Sequence, residues 1–95
     1  MVNIVYSNNI QKGINKLEEI CKEKNNLIRK VTSLNDFRYE FEDEVWRFVK
    51  PNGKARGIKY DKCYVDATTV TLEEYYNYIL PSGVLTDSEK IKFFY

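Results

Sequence analysis

The sequence predicts a small α/β (or α+β) fold, residues 1–95 forming a single domain in the order β-α-β-β-β-β-α-β, with a central β-hairpin and two helices packed on the sheet. Three observations carry this expectation. Residues 9–24 place apolar side chains at helical spacing. "FRYEFEDEVWRFV" alternates apolar and charged residues with the period of a strand. Thr71-Leu-Glu-Glu74 has the form of a capping box, in which Glu74 reaches back to the backbone of Thr71 and opens a second helix.

Taken in order, "VNIVY" (2–6) is a short apolar run bounded by "SNN" and reads as a buried strand. Ser7 or Asn8 is placed to cap the helix that follows. Its stripe is Ile10, Ile14, Leu17, Ile20 and Cys21, with lysines and glutamates elsewhere. Gly13 is expected to weaken this helix by about 1 kcal/mol relative to alanine. "KNN" ends it, and "LIRKVTS" (27–33) suits a strand. Phe37, Tyr39 and Phe41 then alternate with Arg38, Glu40 and Glu42, so residues 36–42 pair with 45–50 as a hairpin closed by Pro51. A basic loop spans Lys50 to Lys62 and leads into the four-residue strand "CYVD". The second helix carries Leu72, Tyr75, Tyr76, Ile79 and Leu80 and is expected to stop at Pro81. Residues 82–88 read as a polar turn, and Ile91, Phe93 and Tyr95 alternate in a terminal strand.

Composition narrows the function. The apolar fraction is 43% and the aromatic fraction 15%, values of a chain that folds. Fifteen basic against fourteen acidic residues leave a net charge of +1, so affinity for nucleic acid must come from local patches. There is no histidine, which excludes the common zinc spacings and histidine-based catalysis. Cys21 and Cys63 fall on the apolar side of a helix and inside a strand, and read as two buried free thiols in a cytosolic protein. No apolar run reaches membrane-spanning length and no signal region is visible, so the expected location is the cytoplasm.

Two groups of residues stand out as binding candidates. In the basic loop, Lys54, Arg56 and Lys59 flank Gly57, whose backbone admits close approach to an anion, while arginine offers phosphate a two-pronged donor. Tyr60, with Tyr64 and Trp46, could supply stacking faces, and Asp66 ends the strand beyond. A solvated loop between two strands has the same composition. The second group is a protein-interface candidate: Glu40, Glu42, Asp43 and Glu44 at the hairpin tip, with Tyr75 and Tyr78 on the second helix.

The order of these elements resembles an inner section of the ATPase domain of phage terminase large subunits. "NIVYS", the helix from Ile10, "FRYEFEDEVWRFV", "ARG", "KCYVD" and "TLEEYYNYIL" arrive in the family's sequence, over residues 3–80. In that family the second nucleotide-binding strand delivers an aspartate to magnesium, a role the resemblance would give Asp66. Two departures oppose it. Gly53-Lys54 is followed by Ala55 and lacks the Gly-x-x-x-x-Gly-Lys-Ser/Thr phosphate loop, and Asp66 is followed by Ala67 where the family has a glutamate. The resemblance therefore implies a small phage or prophage accessory protein that is no enzyme and needs no cofactor. It would bind a host defence protein, such as an RNA-guided nuclease, or sequester a nucleotide signal, and so counteract host defence from the host cytoplasm. The alternative is a reduced terminase-like accessory for nucleotide handling or DNA packaging. Edge strands and surface tyrosines permit a homodimer.

Overall fold

A mixed six-stranded sheet forms the centre of the molecule, flanked by one helix on each face. The computed structural model describes residues 1–33, 36–53, 58–83 and 90–95. Strands β1 (Val2–Tyr6), β2 (Leu27–Ser33), β3 (Asp36–Phe41), β4 (Val45–Val49), β5 (Lys62–Asp66) and β6 (Ile91–Phe94) lie side by side in the order β2-β3-β4-β1-β5-β6. β1 runs parallel to both β4 and β5, and β5 parallel to β6, whereas β2, β3 and β4 are antiparallel neighbours. This is the expected α+β order, with the hairpin at β3–β4.

Alternation along the strands sends side chains to two separate cores. On one face Val5, Phe37, Tyr39, Phe41 and Trp46 pack under Leu17 and Cys21 of α1 (Ile10–Cys21). On the other, Ile4, Tyr6, Val49, Tyr60, Cys63 and Val65 pack under Ile79. Both cysteines are free and buried, as expected, and burial pushes each thiol up to about 12.

The cap of α1 is Asn9 rather than Ser7 or Asn8: its side chain accepts from the Lys12 N–H at 3.0 Å. Ser7 is drawn instead into the interior. Ile10, assigned to the buried stripe, stands 38% exposed at the first turn. Gly13 is buried at a close crossing of helix and sheet, where a β-carbon would lie 2.2 Å from Cε1 of Phe48. Asn26 takes a left-handed conformation (φ 65°) in the turn before β2, one that asparagine tolerates.

The second helix departs from a regular α-helix. The capping box at Thr71 forms as expected and starts α2 at Leu72–Glu74. The chain then widens into a π-turn over Tyr75–Ile79, where the Leu80 N–H donates to the carbonyl of Tyr75, and tightens to a 3-10 turn over Leu80–Ser82. Pro81 sits in the first turn of that 3-10 segment, where its missing N–H leaves no bond unmade, so it does not stop the helix where expected. The π-turn rotates the apolar positions. Ile79 goes to the core with Tyr75 and Tyr78 packed against it, leaving Leu72, Tyr76 and Leu80 exposed.

Candidate functional site

At the carboxyl end of β5, Asp66 is fully buried and receives five hydrogen bonds. Its Oδ2 accepts from Ser7 Oγ and Thr69 Oγ1, each at 2.8 Å. Its Oδ1 accepts from Lys12 Nζ at 2.8 Å, Thr68 Oγ1 at 2.7 Å and the Thr68 N–H at 3.1 Å. Burial alone would raise the carboxyl pKa, but the Lys12 ammonium and the hydroxyls of Thr68, Thr69 and Ser7 outweigh it and hold the group well below the usual carboxylate range. A carboxylate offers about four lone-pair directions, and all are taken here. Asp66, a ligand-binding candidate by sequence, thus has its oxygens engaged within the fold. It is a staple between the β1–α1 and β5–α2 connections. Asn8 adds a second tie, its side-chain amide donating to the Thr69 carbonyl at 2.8 Å and to Glu74 at 2.9 Å.

The basic loop is divided by the structure. Lys54, Arg56 and Gly57 lie outside the described residues. Lys59 is exposed, its ammonium donating to the Pro81 carbonyl at 3.4 Å. Tyr60 cannot serve as a stacking face, because it is 2% exposed and packs edge-on against Tyr6 with ring centroids 6.0 Å apart. Trp46 is likewise buried. The interface group is also redistributed. Glu44 is held by Lys24 and by the Trp46 indole N–H, each at 2.8 Å, and Glu40 by Arg38 and Arg29, leaving Glu42 and Asp43 as the two exposed members of the four. Tyr75 and Tyr78 are half-buried against the core, so the outward tyrosine of this helix is Tyr76.

A groove of about 620 Å³ opens where α1 overhangs β5 and β6. Five lysines line it, Lys16, Lys24, Lys62, Lys90 and Lys92, against two carboxylates, Glu19 and Glu23. Its floor is Ile20, Trp46 and Tyr64, the two rings 5.9 Å apart. Lys16 rests over the Tyr64 and Phe94 rings at 5.4 Å and Lys24 over Trp46 at 5.4 Å, distances at which ring and cation attract. Lys24 is neutralised by Glu44 and Lys16 lies 3.7 Å from Glu19, but Lys62, Lys90 and Lys92 have no ion pair among the described residues. Beneath the groove, Asn3 is fully buried between its cross-strand neighbours Trp46 and Lys62, and neither atom of its amide has a hydrogen-bond partner among the described residues.

Of these residues the sequence alone marks Tyr64 and Trp46 as stacking faces and Lys62 as the end of the basic loop, with Ile20 in the helix stripe. The others carried a faint signal. Lys16, Ile20 and Lys24 repeat every four positions along and just beyond α1, and Lys90 and Lys92 stand two apart at the start of β6. No family model, curated protein or solved structure matches this chain.

Proposed function

We propose that this chain is a small non-enzymatic binding protein of phage type that captures a phosphate-bearing nucleotide in the lysine groove, and so removes a signal on which a host defence depends. The observation that carries the reading is the charge of the groove: five ammonium groups to three carboxylates, Glu19, Glu23 and the Glu44 that pairs with Lys24, around an apolar floor, three of the lysines without an ion pair among the described residues. Lysine binds phosphate as a point charge, and a volume of about 620 Å³ falls within the roughly 300–1,000 Å³ of small-molecule sites. The phage attribution rests on the order of elements shared with the terminase ATPase section. The non-catalytic part rests on Asp66, whose lone pairs are already engaged. Capture of an anion is favoured over occlusion of a basic protein surface because two of the four acidic hairpin residues are neutralised within the fold.

A thermal shift against mono- and dinucleotides, linear and cyclic, tests the reading. Ligand at 100 times its dissociation constant stabilises the folded state by about 2.7 kcal/mol. Lys62→Glu with Lys92→Glu is expected to abolish the shift, and a shift surviving both reversals would overturn the groove as the site. Binding of long duplex DNA in preference to nucleotides would favour a packaging accessory.

A further inference from the structure

The β6 edge adjoins the groove, and its outward side chains form a self-complementary set. Among the described residues nothing pairs with its outer edge, since β6 is the last strand of the sheet. Toward the α2 face it presents Ile91, Phe93 and then Tyr95, with Phe93 52% and Tyr95 85% exposed. Phe93 lies 5.7 Å from Tyr75, which lies 5.4 Å from the exposed Tyr76, so the apolar surface continues from the strand onto the helix. Toward the α1 face it presents Lys92 and Phe94, the first lining the groove and the second lying under Lys16. Large apolar residues on an unpaired edge invite strand addition. The opposite edge, β2, also exposes Leu27 and Ile28, but it carries Arg29, Lys30 and an irregular register at Leu27/Arg29.

We propose that two copies of this chain join through antiparallel pairing of β6 about a two-fold axis at Phe93, merging their lysine grooves into one trough; the trough rests on the nucleotide reading above. This register sets Phe93 against Phe93, Ile91 against Tyr95 and Lys92 against Phe94 of the second copy. Apolar residues meet apolar residues on the α2 face, and each lysine meets a ring on the α1 face. Moving the axis to Lys92 would oppose two ammonium groups, so Lys92 selects the register. The strand pair alone is short, and the flanking Phe93, Tyr95 and Tyr76 rings supply the remaining contact. Across the axis the two Lys92 residues stand on the diagonal, about 7–8 Å apart. Each copy thereby brings its Lys92 beside the rim of the other's groove, and the trough suits a ligand with separated phosphates.

Mass measurement by light scattering during gel filtration is the test, with charge swaps on the axis. Wild type is expected at the mass of two chains, and Phe93→Glu and Phe93→Lys each at the mass of one. Mixing the two variants is expected to restore the dimer, because glutamate then faces lysine. A monomeric wild type, variants that stay dimeric, or a mixture that stays monomeric would each overturn the Phe93 axis. Calorimetric titration with the linear dinucleotide pApA then tests the trough. One ligand per two wild-type chains is expected, with binding to Phe93→Glu at least tenfold weaker, and equal affinity for the monomeric variant would overturn it. Failure of pApA to bind any form would refute the nucleotide reading and the trough with it, while the masses still decide the dimer.

Discussion

Replacing Gly13 with alanine separates two opposite expectations. Helix propensity alone says the change stabilises by about 1 kcal/mol, since glycine is the poorer helix former. The packing says otherwise. An added β-carbon would stand 2.2 Å from Cε1 and 2.5 Å from Cδ1 of Phe48, with Ser7 Cβ at 3.1 Å. Carbon atoms rest at about 3.5–4.0 Å, so the Phe48 ring must retreat by more than ~1 Å. Overpacking of this kind costs about 1–3 kcal/mol, and subtracting the propensity gain leaves a net loss of up to about 2 kcal/mol. At about 4–8 °C per kcal/mol for a domain of this size, the melting temperature should fall by several degrees. Circular dichroism melts of the two proteins measure this. A second background sharpens it: with Phe48→Leu in place the same Gly13→Ala change should cost less, because the obstructing ring is gone. An alanine variant that melts at or above wild type would refute the close-crossing argument.

Four further outcomes follow from the Asp66 staple and the groove. Asp66→Asn should destabilise by about 2 kcal/mol or more, because it leaves the Lys12 ammonium without its counter-charge and turns an amide NH₂ toward donors, and denaturant titration measures it. The same variant should bind nucleotide as wild type does, and a parallel loss of binding would place Asp66 back in the site. The Asp66 carboxyl is depressed in the folded state, so its stabilisation is fully present above its unfolded pKa of about 3.9 and is lost as pH falls below that value. Wild type should therefore lose more stability than Asp66→Asn between neutral and strongly acidic pH, and equal losses would contradict the staple. Nucleotide affinity should weaken with added salt, and Lys62→Glu should flatten that dependence, both readable by calorimetry at two ionic strengths.

Much of the fold was legible because its signals are local. The alternation of Phe37, Tyr39 and Phe41 needs only neighbours two apart, and the Thr71 capping box only a span of four residues. What was missed is non-local. Lys12 and Asp66 are 54 positions apart, and their 2.8 Å contact exists only because β1 and β5 are adjacent strands. Gly13 reads as a weak helix residue until β4 brings Phe48 beneath it. Tyr60 sits in a basic stretch that suggests exposure, yet its backbone is tied to the 3-10 turn through Ser82 and its ring is carried inward. The outward turn of Tyr76 depends on a π-turn, for which this sequence gave no composition signal.

The sheet's carboxyl edge and the flank of α1 offer an anion opposite surroundings. In open α/β sheets ligands enter the crevice where neighbouring strands send their helices to opposite faces. Here that crevice lies between β1, followed by α1 on one face, and β5, followed by α2 on the other. It is filled by the chain's own groups: the Lys12 ammonium lies against the Asp66 carboxylate, and Ser7, Asn8, Thr68, Thr69 and Glu74 close the hydrogen bonds around them. A nucleotide arriving there would have to displace a partly buried ion pair and several bonds, a cost comparable to the whole free energy of a weak complex. Along the flank of α1 the balance is reversed. Lys62, Lys90 and Lys92 border a groove without ion pairs among the described residues, and an anion there gains attraction without breaking a bond. The same sheet thus closes its customary site around one lysine and gathers five lysines beside a lateral groove, the contrast on which the proposed anion capture rests.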